Sequence, residues 1–300
     1  LTGMDGTAVR PASWQGVVRS YVEVTKVRSV LLLVFTAAAT MAVAAREVPV
    51  ARATVVLALV AVTLACAGAN AVSCYADRDL DAAMVRTRHR PIPAGRIHPP
   101  ERALWWGAFL FLVSLVLAWR VNWPSVLALL AGGAGYVGVY SLWLKRRSPV
   151  NIVLGGFSGG LPAVFGWTAV TGTLTWLPVL IAALVVLWIP NHIWSLAIFY
   201  REDYLRVRVP MLPVVDERRA LRCLLSTVVL MVGVSLVLYF VGRFGYVYLS
   251  VAALLGAAAL YLGWQVYARP APSRAWRLFK FSSVYLFLVF LAMMGESLLA

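Results

Sequence analysis

Nine apolar stretches, joined by short polar loops, decide what this 300-residue chain can become. They run roughly over 29–45, 53–75, 103–120, 123–144, 150–170, 174–199, 223–241, 246–267 and 280–299, each long enough for a hydrocarbon layer of about 30 Å. A backbone crossing that layer must close its own hydrogen bonds, so the stretches are expected to be helices. Composition agrees: 62% of residues are hydrophobic and 13% charged, and the mean hydropathy of +0.82 excludes an ordinary water-soluble domain. The expected fold class is all-α, a polytopic integral membrane bundle of nine transmembrane helices, forming one membrane-embedded domain over 1–300.

The formal charge is +15. In a soluble protein that would raise nucleic acid as a partner. Here the cations sit between apolar spans, so membrane topology accounts for them and no nucleic acid is expected. With the N-terminus in the cytoplasm, all of the 27 Lys and Arg except Arg46, Arg52, Arg120 and Arg243 fall on cytoplasmic segments. That asymmetry predicts N-in and C-out. No signal-peptide pattern is present: about 28 mixed residues precede the first apolar run. Within this lead-in, Trp14 to Arg28 mixes apolar and charged residues. An interfacial helix and a solvated segment are equally open. Cys66, Cys74 and Cys223 form no CxxC pair and read as reduced and structural.

Against this background, Ser73-Cys74-Tyr75-Ala76-Asp77-Arg78-Asp79-Leu80-Asp81 stands out. Ionisable groups at the edge of a span default to function, because charge there is costly. Asn70, Ser73, Asp77 and Asp81 share one face if the helix continues. Asp77 and Asp81 would repel at that spacing unless a cation lies between them. A solvated loop paired with nearby arginines is the bland reading. A second acidic pair, Glu202-Asp203, falls in a loop on the same side and favours a metal-bridged polyanion such as a diphosphate. The cations suited to such a ligand are Arg86, Arg88 and Arg90 in the run before Pro91, Lys145 and Arg146 after span four, and Lys26. His89 and His98 carry no clear role. Tyr140 and Trp143 serve either as belt aromatics or as a ligand wall. In span five, Gly155/Gly159 and Gly156/Gly160 are small-xxx-small pairs and predict close helix packing; room left for a bulky flat ligand is the lesser alternative. Asn191 and His192 are polar residues inside span six, pointing either to function or to a bond within the bundle. Glu296 is isolated and reads as a protonated or interfacial carboxylate.

These motifs resemble the UbiA superfamily of intramembrane prenyltransferases, and within it the protoheme IX farnesyltransferases, through about 200 residues. The resemblance rests on Thr25-Lys26-Val27-Arg28, the Asp77 to Asp81 block, Arg86-Thr87-Arg88-His89-Arg90-Pro91-Ile92-Pro93-Ala94-Gly95, Tyr140 with Leu144-Lys145-Arg146-Arg147 and Asn151, His192-Ile193-Trp194, and Asp203-Tyr204 with Val209-Pro210-Met211-Leu212-Pro213-Val214-Val215. Two positions depart from the pattern. Ser73 stands where an Asn is usual, with Asn70 one turn earlier. The second motif has Val207 four residues beyond Asp203, where the wider superfamily often has another aspartate.

The resemblance implies nine helices around a central cavity in a prokaryotic cell membrane, with membrane lipid around them. It implies farnesyl diphosphate as donor, haem B as acceptor, and Mg²⁺ held by Asp77 and Asp81 with Asp203 opposite. Asp77, Asp81, Lys145 and Asp203 are then the catalytic set. Asn70, Ser73, Tyr140, Asn151, Asn191, His192 and Trp194 are the expected acceptor or isoprenoid pocket. A quinone-precursor ring or a lipid glycerol is an alternative acceptor. A membrane carrier is the non-enzyme alternative, but it predicts charges deep in broken helices, and the acids here gather at one rim.

Overall fold

The computed structural model describes residues 13–299. Its elements are α1 (Trp14–Glu23), α2 (Val27–Ala44), α3 (Arg52–Ala76), α4 (Arg78–Ala83), α5 (Glu101–Val121), α6 (Trp123–Gly133) continuing directly into a π-helical segment (Ala134–Leu144), α7 (Asn151–Thr171), α8 (Trp176–Phe199), α9 (Arg201–Arg206), α10 (Leu212–Val215), α11 (Glu217–Val241), α12 (Tyr246–Ala268) and α13 (Pro272–Leu299). Counting α6 and the π segment together, nine helices among the described residues are long and apolar enough to span a membrane. No strand occurs among those residues. The all-α reading is therefore correct.

Two spans begin earlier than their apolar runs, α11 at Glu217 and α13 at Pro272. Their leading residues include Arg218, Arg219 and Arg274, with Ala220 and Ala275 buried beside them. At α11 the Asp216 carboxylate accepts the Arg219 N–H at 2.9 Å, a side-chain cap.

Helices α2, α3, α5, α6 and α7 form one half of the bundle, and α8, α11, α12 and α13 the other; α2–α13 and α7–α8 contacts join them. The tightest pair is α3 with α5. A Cβ added to Gly68 would lie 2.5 Å from the Gly107 carbonyl oxygen and 2.8 Å from the Phe111 nitrogen. The glycines of α7 act similarly: a Cβ on Gly155 would meet the Tyr140 ring at 2.6 Å, and one on Gly160 the Ala182 carbonyl at 2.8 Å. Close packing is thus what the small-xxx-small pairs encode.

Helix α1 is amphipathic. Ser13 accepts the Gly16 N–H at 3.2 Å to start it. Trp14, Val18 and Val22 leave an exposed stripe, while Tyr21 packs edge-on against Trp106, ring centres 5.8 Å apart. A helix forms here, not an extended lead-in; the lead-in before Ser13 lies outside the described residues. At the opposite end, Glu296 is not isolated. Its carboxylate accepts the Gly245 and Tyr248 N–H groups at 2.5 and 2.8 Å, capping α12, where a negative charge complements the helix dipole. Nearby, Arg46 donates to the carbonyls of Gly242 and Arg243 at 3.0 and 3.3 Å, closing the end of α11.

Candidate active site

The acidic block sits where α3 gives way to α4. Asp77 forms the break, with φ −97° and ψ 5°, and Asp81 follows one turn later. Asp77 and Asp81 are buried, at 2% and 4% exposure. Each carboxylate has its own cation. Lys145 donates to Asp77 Oδ2 at 2.5 Å, and Ser73 Oγ donates to the same oxygen at 3.4 Å. Arg90 Nη1 donates to both oxygens of Asp81, at 2.9 and 2.7 Å. Asp79 turns outward and takes a two-pronged contact from Arg146, 2.6 Å on each oxygen. Asp77 Oδ1 is buried and accepts no hydrogen bond.

The π segment brings Lys145 to this point. Its turns close one residue later than α turns; the Lys145 N–H bonds to the Tyr140 carbonyl at 2.9 Å. The Asn151 side chain then donates to the Lys145 carbonyl at 3.3 Å. The wide turns stack Tyr136 on Tyr140, with ring centres 5.9 Å apart, and place Ser141 Oγ 3.1 Å from Ser73 Oγ. Tyr136 Oη donates to Asn70 Oδ1 at 3.1 Å and accepts from Lys26 Nζ at 3.3 Å. Lys26 is the hinge between α1 and α2, with φ 56°.

Beneath this polar cluster lies a mainly apolar cavity of about 680 Å³ between the two halves of the bundle, a volume suited to a substrate-sized ligand. Lys26, Asn70, Tyr136 and Tyr140 form part of its wall; Trp188, His192 and Phe279 form another part. His192 lies between the Trp188 and Phe279 rings, at 4.4 and 4.3 Å, and its Nδ1 is 2.8 Å from Ser282 Oγ.

The second acidic pair, expected in a loop, lies in the first turn of the short helix α9 at the same end. Asp203, 5% exposed, accepts the N–H groups of Val85 and Arg86 at 3.1 and 3.0 Å, while Glu202 is exposed. The Arg86 guanidinium lies over the Tyr200 ring at 5.6 Å. Among the described residues no three acidic, histidine or cysteine side chains form a ready metal cluster. Cations and main-chain amides fill the spaces between the carboxylates.

Residues 32–291 match the family model of the UbiA prenyltransferase family. This chain belongs to that family. The resemblance drawn from the motifs holds, and the protein is a prenyltransferase enzyme and an integral multi-pass membrane protein. Over 293 residues it is 64% identical to the protoheme IX farnesyltransferase of Desulforudis audaxviator, covering 97% of this chain and 92% of the relative. The protoheme IX farnesyltransferase of Thermosynechococcus vestitus is 43% identical over 287 residues, covering 93% and 89%. Among solved structures, one from work on digeranylgeranylglyceryl phosphate synthase in membranes superposes with a TM-score of 0.78 at 20% identity, covering 95% of this chain and 99% of that one. A UbiA homolog from Archaeoglobus fulgidus bound to GPP and Mg²⁺ gives 0.63 at 17% identity, covering 92% and 99%.

Within this UbiA fold the sequence-derived residues separate into groups. Asn70, Ser73, Asp77, Asp81, Tyr140, Lys145, Arg90 and Lys26 come together. Arg146 reaches the edge of the cluster through Asp79 and the Ala76 carbonyl, at 2.9 Å, and Arg88 is exposed. Asn151 is fully buried and positions Lys145. Asn191 and Trp194 do not line the cavity. Neighbours of His192 on a helix project about 100° apart per residue. Asn191 therefore turns to α11, its Nδ2 3.4 Å from Met231 Sδ, and Trp194 is 1% exposed in the hydrophobic core. Trp143 is 55% exposed and faces outward, like a belt aromatic. Tyr136, Ser141, Tyr200, Phe279 and Ser282 were not foreseen. The four-residue step from Tyr136 to Tyr140 was the one available signal.

The three acids should differ sharply in weight. Arg146 holds the Asp79 carboxyl below the usual carboxylate range. Such a group stabilises the fold above about pH 4 and loses that contribution as pH falls through its lowered value. Asp79 is 60% exposed, so the pair is worth about 1 kcal/mol or less. Asp79→Asn is expected to shift the thermal midpoint by no more than about 4 °C at neutral pH, as scanning fluorimetry can check.

Proposed function

We propose that the protein transfers the farnesyl group of farnesyl diphosphate to a vinyl group of protohaem IX, giving haem O, with its basic end facing the cytoplasm. The observation carrying this reading is the juxtaposition of buried Asp77 and Lys145 with the apolar cavity. A charged head and a long apolar tail need such neighbours. The positive-inside asymmetry supports the orientation, and relatives named protoheme IX farnesyltransferases support the acceptor.

The acid residues fit Mg²⁺. Asp77 and Asp81 offer hard carboxylate oxygens, and Asp77 Oδ1 is buried without a hydrogen bond. Bound there, Mg²⁺ would offset charge on the diphosphate and ease its departure; the Archaeoglobus homolog bound to GPP and Mg²⁺ supports this assignment. Lys145 and Arg90 exchange their carboxylate partners for phosphate oxygens, with Lys26 and Arg86 nearby. The allylic C–O bond breaks, and its electron pair leaves on the diphosphate. Tyr136 and Tyr140 present ring faces to the resulting cation, and the apolar walls exclude water. The vinyl π pair forms the new C–C bond. Water adds to the cation left beside the macrocycle and loses a proton, giving a hydroxyethylfarnesyl substituent. The Trp188–His192–Phe279 stack suits a flat acceptor.

The test is incubation of membranes with haem B, farnesyl diphosphate and Mg²⁺, with and without chelator. A haem product heavier by a farnesyl group plus a hydroxyl, lost with chelator, is expected. No gain on haem, with prenylation of a quinone-precursor ring or lipid glycerol instead, overturns the acceptor.

A further inference from the structure

Three rings of the cavity wall are stacked face to face. Trp188 and His192 lie 22° from parallel, and His192 and Phe279 27°. Phe279 stacks in turn on Trp276, ring centres 5.0 Å apart. Both faces of the imidazole are therefore covered, and a molecule entering the cavity can meet only its edge. One residue of α13, Ser282, decides which edge that is. Its carbonyl accepts the Trp188 indole N–H at 2.7 Å. Its hydroxyl lies 2.8 Å from His192 Nδ1 and 2.8 Å from the Phe279 carbonyl oxygen, and Ser282 is buried.

A hydroxyl has one proton to give, and a carbonyl oxygen only accepts. For both contacts to be hydrogen bonds, the Ser282 proton goes to Phe279 and the His192 Nδ1–H goes to Ser282. The neutral tautomer is thereby set, with its lone pair on Nε2. Among the described residues Nε2 makes no hydrogen bond, and His192 is half-buried in the cavity wall. A neutral imidazole nitrogen, oriented by a hydrogen bond at the other nitrogen, is a ready metal ligand. The flanking rings narrow the choice of metal. With a metal at Nε2, the Trp188 and Phe279 edges meet whatever surrounds it, and ring edges favour an aromatic face. The matching ligand is a flat aromatic macrocycle with a metal at its centre.

We propose that His192 Nε2 is an axial ligand to the iron of the acceptor haem, and that Ser282 is the positioning residue that keeps that lone pair free. The imidazole donates its lone pair to iron in place of a solvent ligand; no proton moves and the iron keeps its oxidation state. Pinned at its centre, the macrocycle holds its vinyl-bearing rim at a fixed distance from α8. That the macrocycle is haem rests on the function proposed above; the tautomer does not.

The test titrates detergent-purified full-length protein with haem B and with iron-free protoporphyrin IX, without farnesyl diphosphate. Wild type is expected to bind haem B about 100-fold more tightly than protoporphyrin IX, and ferrous haem B to show an iron–imidazole stretch by resonance Raman. In His192→Ala that ratio falls to about threefold or less and the stretch disappears. Ser282→Ala weakens haem B about tenfold and leaves protoporphyrin IX unchanged. The chain has three histidines, so a double variant, His89→Gln with His98→Gln, is the control and keeps both readouts. Equal wild-type affinity for the two porphyrins overturns the ligand even if no variant folds. So does a wild-type ratio in His192→Ala, or its loss in the double variant. Wild-type behaviour of Ser282→Ala overturns the positioning role. Iron-dependent binding through His192 without any haem product in the transfer assay would uphold the ligand and discard the transfer.

Discussion

Asp77→Ala and Asp81→Ala are expected to lower prenyl transfer at least 10²–10³-fold, about the loss seen when one group aimed at developing charge is removed. The protein should still reach the membrane. The two variants differ in a second respect. Asp77→Ala strands the Lys145 ammonium, whose side chain is only 17% exposed, and breaking a buried pair costs about 3–5 kcal/mol. Asp81→Ala frees Arg90, a more exposed cation at 25%, and should be milder on stability. Asp77→Asn separates folding from chemistry. Its amide oxygen still accepts from Lys145, but the charge is gone. It should therefore keep most of the thermal midpoint and lose turnover. Turnover by Asp77→Asn within tenfold of wild type would remove Asp77 from the ion site.

Gly107→Val is expected to have the largest effect on the fold. A Cβ there would stand 2.7 Å from the Gly68 carbonyl and 2.9 Å from the Val72 nitrogen. Main chain cannot rotate aside as a side chain can. Valine must then push α3 from α5, at a cost above the ~1–3 kcal/mol of ordinary overpacking. Because α3 carries Asn70, Ser73 and Asp77, transfer should fall along with folded yield. Gly233→Ala is the control, since a Cβ there meets nothing within 4 Å. Equal yields of folded Gly107→Val and Gly233→Ala, measured after detergent extraction and size exclusion, would contradict the close approach.

The spans were legible because burial in hydrocarbon demands length and apolarity, and both are written residue by residue. Their polar first turns were not, since Arg218 or Arg274 carries no apolar signal. Among the site residues, Asp77 and Lys145 were legible as charges that a membrane rim would not hold idly. Their pairing was not, because 68 residues separate them. The partners of Asp203 were hidden for another reason: a main-chain N–H belongs to every residue except proline and leaves no mark in composition. Asn191 and Trp194 show the reverse difficulty. Asn191 adjoins His192 and Trp194 lies two residues beyond it, and on a helix such short steps are what separate side chains.

The π turns leading to Lys145 also bear on how this chain can diverge. Between Gly133 and Lys145, length matters as much as the side chains of Tyr136, Tyr140 and Ser141. Loss of one residue would let the segment relax into an ordinary α-helix and swing everything beyond it by about 100°, carrying the lysine off its aspartate. Relatives can therefore vary the lipid-facing letters of this stretch freely, yet a single-codon indel would disarm the enzyme while leaving its hydrophobicity almost untouched.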